Sequence, residues 1–296
     1  MTTEPSGVLL VDKPLGLSSN HILQQMKRLL GITKAGHAGT LDPLATGLMV
    51  LCVGEATKFS QRQLEAHKSY QAEVLLGYES STGDAEGEIR TKTAYLGTLT
   101  DIERVLQGFL GVQKQIPPMT SALKVAGRTL YDYARAGLEI TRSPRIIEIE
   151  RIDHIQFSGQ KLTFEVHVSK GTYIRVLAQD IGEALGCGGY LTALRRLSSG
   201  KYHISEARTW EQWSEASTSW ISHLLPTSTL LQGIPSLTLT PDEALALRQG
   251  RQIALLNSMD NEGLQLRQLW DQTGNLVGLG KVEGSVLISE RLMRDN

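Results

Sequence analysis

Cysteine is scarce in this chain. Cys52 and Cys187 are the only two in 296 residues and stand in no metal or redox spacing, which excludes a disulfide framework and fits a reducing, cytoplasmic setting. The seven histidines add no zinc-ligand spacing, so no metal is expected. Long apolar runs are missing as well. The longest are short stretches such as Leu48–Val53, against the ~20 residues of a membrane-spanning helix, so no membrane partner is expected. Met1–Gly7 has neither a basic nor an apolar leader region, and no secretory signal is predicted. No G-x-x-x-x-G-K-[ST], G-x-G-x-x-G or G-x-S-x-G occurs, so phosphate-loop, dinucleotide and serine-hydrolase signatures are absent.

An excess of either charge is lacking too: 30 Lys+Arg face 31 Asp+Glu. The balance hides an asymmetry, because residues 1–210 hold 24 basic and 21 acidic side chains and residues 211–296 hold 6 and 10. Within Ser121–Ile146 lie Lys124, Arg128, Arg135, Arg142 and Arg145 against Asp132 and Glu139. Such a cluster permits an RNA partner without demanding one.

What is present is an ordinary globular composition, 41% hydrophobic and 21% charged, at a length of two domains or one with an appendage. Gly7–Val11 and Leu48–Val53 read as buried strands. Ser18-Ser19 cap a helix with Ile22, Leu23, Met26, Leu29 and Leu30 on one face and Gly31 beyond its end. Tyr70–Leu76 and Leu162–Val168 alternate as strands. Thr100-x-x-Glu103 resembles a capping box, and Thr172–Leu185 has helical periodicity. This irregular mixture predicts an α+β fold. Gln115–Arg145 is rich in turn residues, and a stretch this long is more often functional than idle. From Thr240 a short helix leads into strands around Leu264–Trp270, Leu276–Val282 and Val286–Ser289, which read as a small β-barrel-like domain.

The most unusual segment is Gly36-His-Ala-Gly-Thr-Leu-Asp-Pro-Leu-Ala-Thr-Gly47. Pro43 biases Asp42 toward an extended conformation, and the flanking glycines allow close backbone approach. Asp42 is thus a candidate nucleophile or base with no visible metal partner, although a loop Asp that caps its own turn is the plainer reading. Tyr70 stands on the inward face of its strand, where its hydroxyl needs a partner. Arg175 follows inward-facing Ile174. If buried it needs a carboxylate, for which Asp42 is the natural candidate. His37 and Lys13 lie in Gly- or Pro-rich loops. Taken singly, each of these residues is weak; together they read as an Asp-centred site with no cofactor signature.

The joint pattern is more specific. Gly7-Val-Leu-Leu-Val-Asp-Lys-Pro-Leu-Gly-Leu-Ser-Ser-Asn20, the Gly36–Gly47 segment, Gly54-Glu-Ala-Thr-Lys-Phe59, Lys68-Ser-Tyr70, Ile116-Pro-Pro-Met-Thr-Ser-Ala-Leu-Lys124, Ser169-Lys-Gly-Thr-Tyr-Ile-Arg175 and Leu194-Arg-Arg-Leu197 resemble, in order, the TruB family of tRNA pseudouridine synthases. The resemblance implies an α+β pseudouridine synthase core over 1–235, with a mixed, largely antiparallel sheet, flanking helices and a thumb-like RNA-binding insertion over 115–145. A PUA-like β-barrel over 236–296 completes the implied fold. It also implies conversion of uridine 55 in the tRNA T loop to pseudouridine, with no cofactor, guide RNA or protein partner, by a cytoplasmic monomer. On this resemblance Asp42 is the catalytic aspartate, Tyr70 stacks on the target base, and Arg175 pairs with Asp42 and keeps it ionised. His37 helps hold the flipped-out loop, and Lys13, Tyr173, Leu194, Lys124 and Arg135 are further RNA or substrate contacts. Whether Asp42 attacks a carbon or removes the ribose 2′ proton stays open, with a preference for proton removal. The rival class is an RNA-binding or RNA-folding protein.

Overall fold

A computed structural model describes residues 5–255 and 264–294. The apolar run at the N-terminus forms the strand Gly7–Lys13, antiparallel to Ala45–Val53. Both strands are covered on both faces. Leu9, Val11, Met49 and Leu51 meet Ile22, Met26 and Leu30 of helix Ser19–Leu30, together with Trp213. On the other side Val8, Leu10, Leu48 and Val50 meet Phe59, Leu231 and Leu279. Double burial is why these strands read as continuous apolar runs. Lys68–Leu76 and Lys161–Val168 instead alternate, because one face alone is fully covered. Tyr70, Ala72, Val74, Phe164 and Val166 share a core with Ile174, Leu177, Ala178 and Ile181 of helix Ile174–Ala184.

Across the large sheet the order is Leu225–Pro226, Gly7–Lys13, Ala45–Val53, Gly189–Ser199, Lys68–Leu76, Lys161–Val168, Arg145–Ser158 and Gly111–Gln115. Along this path every pairing is antiparallel except that of Ala45–Val53 with Gly189–Ser199. That parallel seam joins Leu194 to Ala45, Arg195 to Thr46 and Arg196 to Gly47, and so sets the loop before Ala45 against the middle of the sheet. Gly47 has φ +100°, and a Cβ there would lie 2.4 Å from the Arg196 carbonyl oxygen. Only glycine lets the seam close.

Two local expectations shift. Helix Leu99–Gln107 is capped by Thr98 with Asp101, not by Thr100 with Glu103. Both pairs have the box spacing and both bury Ile102 and Leu106, so periodicity does not choose between them. Residues 115–145 are more ordered than their turn-rich composition implies. They hold a hairpin, Lys124–Val125 with Arg128–Thr129, and a helix, Leu130–Arg135, boxed by Thr129 and Asp132 and anchored by buried Leu130.

Beyond residue 235 a second sheet runs Ser236–Leu239, Gln265–Asp271, Leu276–Glu283, Val286–Leu292, Ile253–Ala254 and curls as a half-barrel around Leu239, Leu247, Leu269, Val282 and Leu287. It is tied to the core by Glu55, which pairs with Lys34 and Lys58 and accepts from the Arg294 N–H at 3.0 Å. The overall class is α+β with a large mixed sheet and a PUA-like C-terminal unit.

Candidate active site

Asp42 is held from both sides of the chain. Buried Ser19, the first residue of its helix, accepts from the Leu41 N–H at 2.7 Å and donates to the Leu41 carbonyl at 3.0 Å. The Pro43 carbonyl accepts from the Gly16 N–H at 2.9 Å, and the Asp42 carbonyl accepts from the Ala45 N–H at 3.0 Å. The backbone on each side of Asp42 is therefore fixed, and its side chain keeps 41% of its surface accessible.

Arg175 enters from the first turn of helix Ile174–Ala184 and is buried. Its Nη2 lies 3.1 Å from Asp42 Oδ2 and donates to the Thr120 carbonyl at 2.9 Å. Its Nη1 donates to Thr120 Oγ1 at 2.8 Å and to Asp84 Oδ2 at 3.1 Å. The Asp84 side chain is 1% exposed, and its other oxygen accepts from Thr82 Oγ1 and the Glu86 N–H. The guanidinium is thus shared between two carboxylates. Burial pushes the Asp42 carboxyl above its ordinary value, Arg175 and Lys13 pull it down, and Asp84 pushes it up; the net shift is upward. Arg175 therefore meets Asp42, favours its ionised form against the push of burial, and at the same time serves Asp84.

Asp42, Tyr70, Tyr173, Arg175 and Leu194 line one cavity of about 500 Å³, with Lys68, Arg196 and Ser121–Leu123 completing its wall. Tyr70 is 8% exposed; its hydroxyl bonds to no described residue, against the expectation of a partner, and opens to the cavity. Tyr173 is fixed through its main chain by Gln115, which accepts from its N–H at 2.8 Å and donates to its carbonyl at 3.1 Å. A slightly larger hollow of about 570 Å³ lies on the Gln71 and Glu73 side of the same strands. Its charged side chains pair as Glu73 with Lys161 and Arg195 with Asp12, and it holds none of Asp42, Tyr70 or Arg175, so the smaller cavity is the candidate site.

The remaining expected residues lie outside that wall. The Lys13 ammonium is buried and donates to the Pro14 and Leu17 carbonyls, and burial brings it down to about 8. His37 pairs with Leu51 on a short strand; burial and the Arg196 charge lower its pKa, and its buried Nδ1 bonds to no described residue. Lys124 and Arg135 are exposed on the hairpin and helix of the insertion, where Arg135 lies over the Tyr131 ring and Arg128 over Tyr133. Sequence reasoning missed Ser19, Asp84 and Thr120, which position the others. Asp84 sits in the polar turn Ser81-Thr-Gly-Asp84, where nothing in the pattern announces a buried carboxylate. No group of metal-ligating side chains occurs among the described residues.

Comparison with known proteins gives the family. The TruB family pseudouridylate synthase N-terminal domain model matches residues 27–174, the tRNA pseudouridylate synthase B C-terminal domain model matches 175–236, and the pseudouridine synthase II TruB C-terminal model matches 235–293. The tRNA pseudouridine synthase B of Thiobacillus denitrificans is 45% identical over 97% of this chain and 95% of its own length. That of Methylobacillus flagellatus is 46% identical over 93% and 90%. A solved Cbf5–Nop10–Gar1 complex contains a chain with TM-score 0.73 at 25% identity, covering 97% of this chain and 85% of that one. With near-complete alignment to such relatives, this chain belongs to the TruB family of pseudouridine synthases.

Proposed function

We propose that this chain isomerises uridine 55 in the T loop of tRNA to pseudouridine, as a stand-alone monomer with no metal, organic cofactor or guide RNA. Relatives named tRNA pseudouridine synthase B support tRNA as the substrate class. The observation that carries the chemistry is the Asp42 carboxylate, clamped by Arg175 on one side and open on the other to a cavity lined by Tyr70. A uridine must leave its stack to reach that cavity, at a cost of a few kcal/mol, and stacking on Tyr70 returns about 1–3 kcal/mol.

In the reaction the N1–C1′ bond breaks, the uracil turns, and a C5–C1′ bond forms; the C5 proton is lost and N1 gains one. A carboxylate raised above its ordinary value is the better proton acceptor, which favours Asp42 as base on the ribose 2′ position: it takes the C2′ proton as the N1–C1′ bond breaks and returns it to C2′ as the C5–C1′ bond forms. The unpartnered Tyr70 hydroxyl is then placed to take or relay the C5 proton. Lys124 and Arg135, with the Arg128–Tyr133 and Arg135–Tyr131 pairs of the insertion and the C-terminal half-barrel, supply RNA contacts. Binding is therefore expected to weaken steeply with salt despite the near-neutral charge.

Tritium release from a T-arm hairpin labelled at uracil C5 tests the reading, with wild type and Asp42→Asn compared. Release by wild type alone supports it. Release by neither, with RNA binding intact, favours an RNA-folding protein, the alternative suited to the cation–aromatic pairs of the insertion. Release by both removes Asp42 from the chemistry.

A further inference from the structure

Among the described residues, two buried cations in the cavity wall have no ion-pair partner. Arg196 is 1% exposed and Lys68 9%. Arg196 Nε donates to the Leu48 carbonyl at 2.6 Å and Nη2 to the Gly39 carbonyl at 3.3 Å, while Nη1 bonds to no described residue and opens to the cavity. The Lys68 ammonium donates only to the Gln63, Leu64 and Ala66 carbonyls, where it closes the end of helix Ser60–Leu64. Among the described residues neither forms an ion pair, and the charges that act on Lys68 are the like charges of Arg196 and Lys170. A buried arginine without a carboxylate is uncommon, since desolvating a cation is repaid only by an opposite charge.

Their placement says where that charge belongs. Arg196 stands directly opposite Tyr70 in the antiparallel pairing, and Lys68 is two residues from Tyr70 on the same strand. Side chains at such positions share one face, so both cations flank the Tyr70 ring. Gly39 keeps the approach open: a Cβ there would lie 3.3 Å from Arg196 Nη1.

We propose that Arg196 and Lys68 form a phosphate subsite that binds a phosphodiester of the substrate RNA next to the nucleotide turned into the cavity. The subsite rests on the reading that the target uridine stacks on Tyr70. Closing the cavity over RNA then leaves no uncompensated cation, and the phosphate fixes how deep the nucleotide enters. Arg196 presents its free Nη1 to the oxygens, and Lys68 supplies charge from the adjacent helix end.

The test is a methylphosphonate scan of the T-arm hairpin, neutralising one linkage at a time across the target nucleotide and its two neighbours. Binding is measured in an Asp42→Asn background so that turnover does not intervene. The expected result is one linkage at which affinity falls about tenfold in that background, with less than a twofold fall at the same linkage once Arg196→Met or Lys68→Met is added. Each added change should also reduce the salt slope of native-hairpin binding by about 0.7–1. Equal methylphosphonate penalties with and without these changes, or unchanged salt slopes in folded variants, would overturn the subsite. Arg196 and Lys68 also bond to main-chain carbonyls, so their replacement can cost folding. A variant-free measurement covers this case: the Arg196 Nε–H resonance of wild type should shift with native hairpin and not with the hairpin neutralised at that linkage, and the same shift with both refutes the proposal. Pseudouridine formation by wild type is assayed in parallel. Its absence fails the functional reading, whereas its presence with no coupled linkage fails the subsite alone.

Discussion

Arg175→Met separates the two carboxylates that share this arginine. The substitution keeps much of the side chain's volume and removes the contacts to Asp42, Asp84 and Thr120. Asp42 can turn to solvent, so its loss of a partner is cheap. Asp84 has 1% of its side chain exposed and cannot. Stranding a buried charge costs about 3–5 kcal/mol, and that sets the expected loss of unfolding free energy for Arg175→Met. Adding Asp84→Asn to Arg175→Met removes the stranded charge, so the double variant should be more stable than Arg175→Met by about 1–3 kcal/mol. Activity should behave differently, because neither variant aims Asp42. With its opposing charge gone, the Asp42 carboxyl rises further, and the acid limb of residual turnover should move to higher pH in Arg175→Met. Urea unfolding of the wild type, Arg175→Met and the double variant, and single-turnover tritium release between pH 5 and about 9, measure both effects. A double variant no more stable than Arg175→Met, or an acid limb that moves down, would refute the shared-arginine account.

Ser19→Ala removes both hydrogen bonds that pin Leu41, leaving a buried N–H unpaired at about 1–3 kcal/mol, and should lower turnover at least tenfold while hairpin affinity holds; equilibrium unfolding and single-turnover rates check it. Tyr70→Phe should bind RNA normally and accumulate a rearranged base still protonated at C5, detectable by mass spectrometry of quenched reactions; full turnover would sink the proton role. Glu55 is a pH clamp for the C-terminal sheet. Burial pushes its carboxyl up, but bonds from Lys34, Lys58 and the Arg294 N–H outweigh that and bring it down to about 2. Its stabilisation is therefore complete above the ordinary carboxylate range and fades as pH falls from about 4.5 toward 2. Hydrogen exchange of residues 276–292 should rise in that window, and less so relative to neutral pH in Glu55→Gln.

The architecture was largely legible because burial imprints a period. Gly7–Val11 and Leu48–Val53 are covered on both faces and read as apolar runs; Tyr70–Leu76 and Leu162–Val168 are covered on one and alternate. Caps at Ser18 and Thr240 were visible for the same local reason, since the side chain that closes a helix lies within three residues of what it caps. The Thr98 cap slipped because two boxes with equal spacing overlap there.

The strands and helices, the lack of any apolar run long enough for a membrane-spanning helix, and the motif segments around Asp42, Tyr70 and Arg175 are all legible in the sequence. Beyond the Arg175–Asp42 pair, to which the sequence already points, packing alone settles which side chains meet. The parallel seam brings Arg196 to the Asp42 loop, helix Ile174–Ala184 brings Arg175 to Asp84 across 91 positions, and Ser19 reaches Leu41 across 22. Those contacts join elements whose separation in the chain carries no periodic signal. A buried carboxylate in a polar turn and a cation without a counter-charge become visible only once packing has removed the water around them.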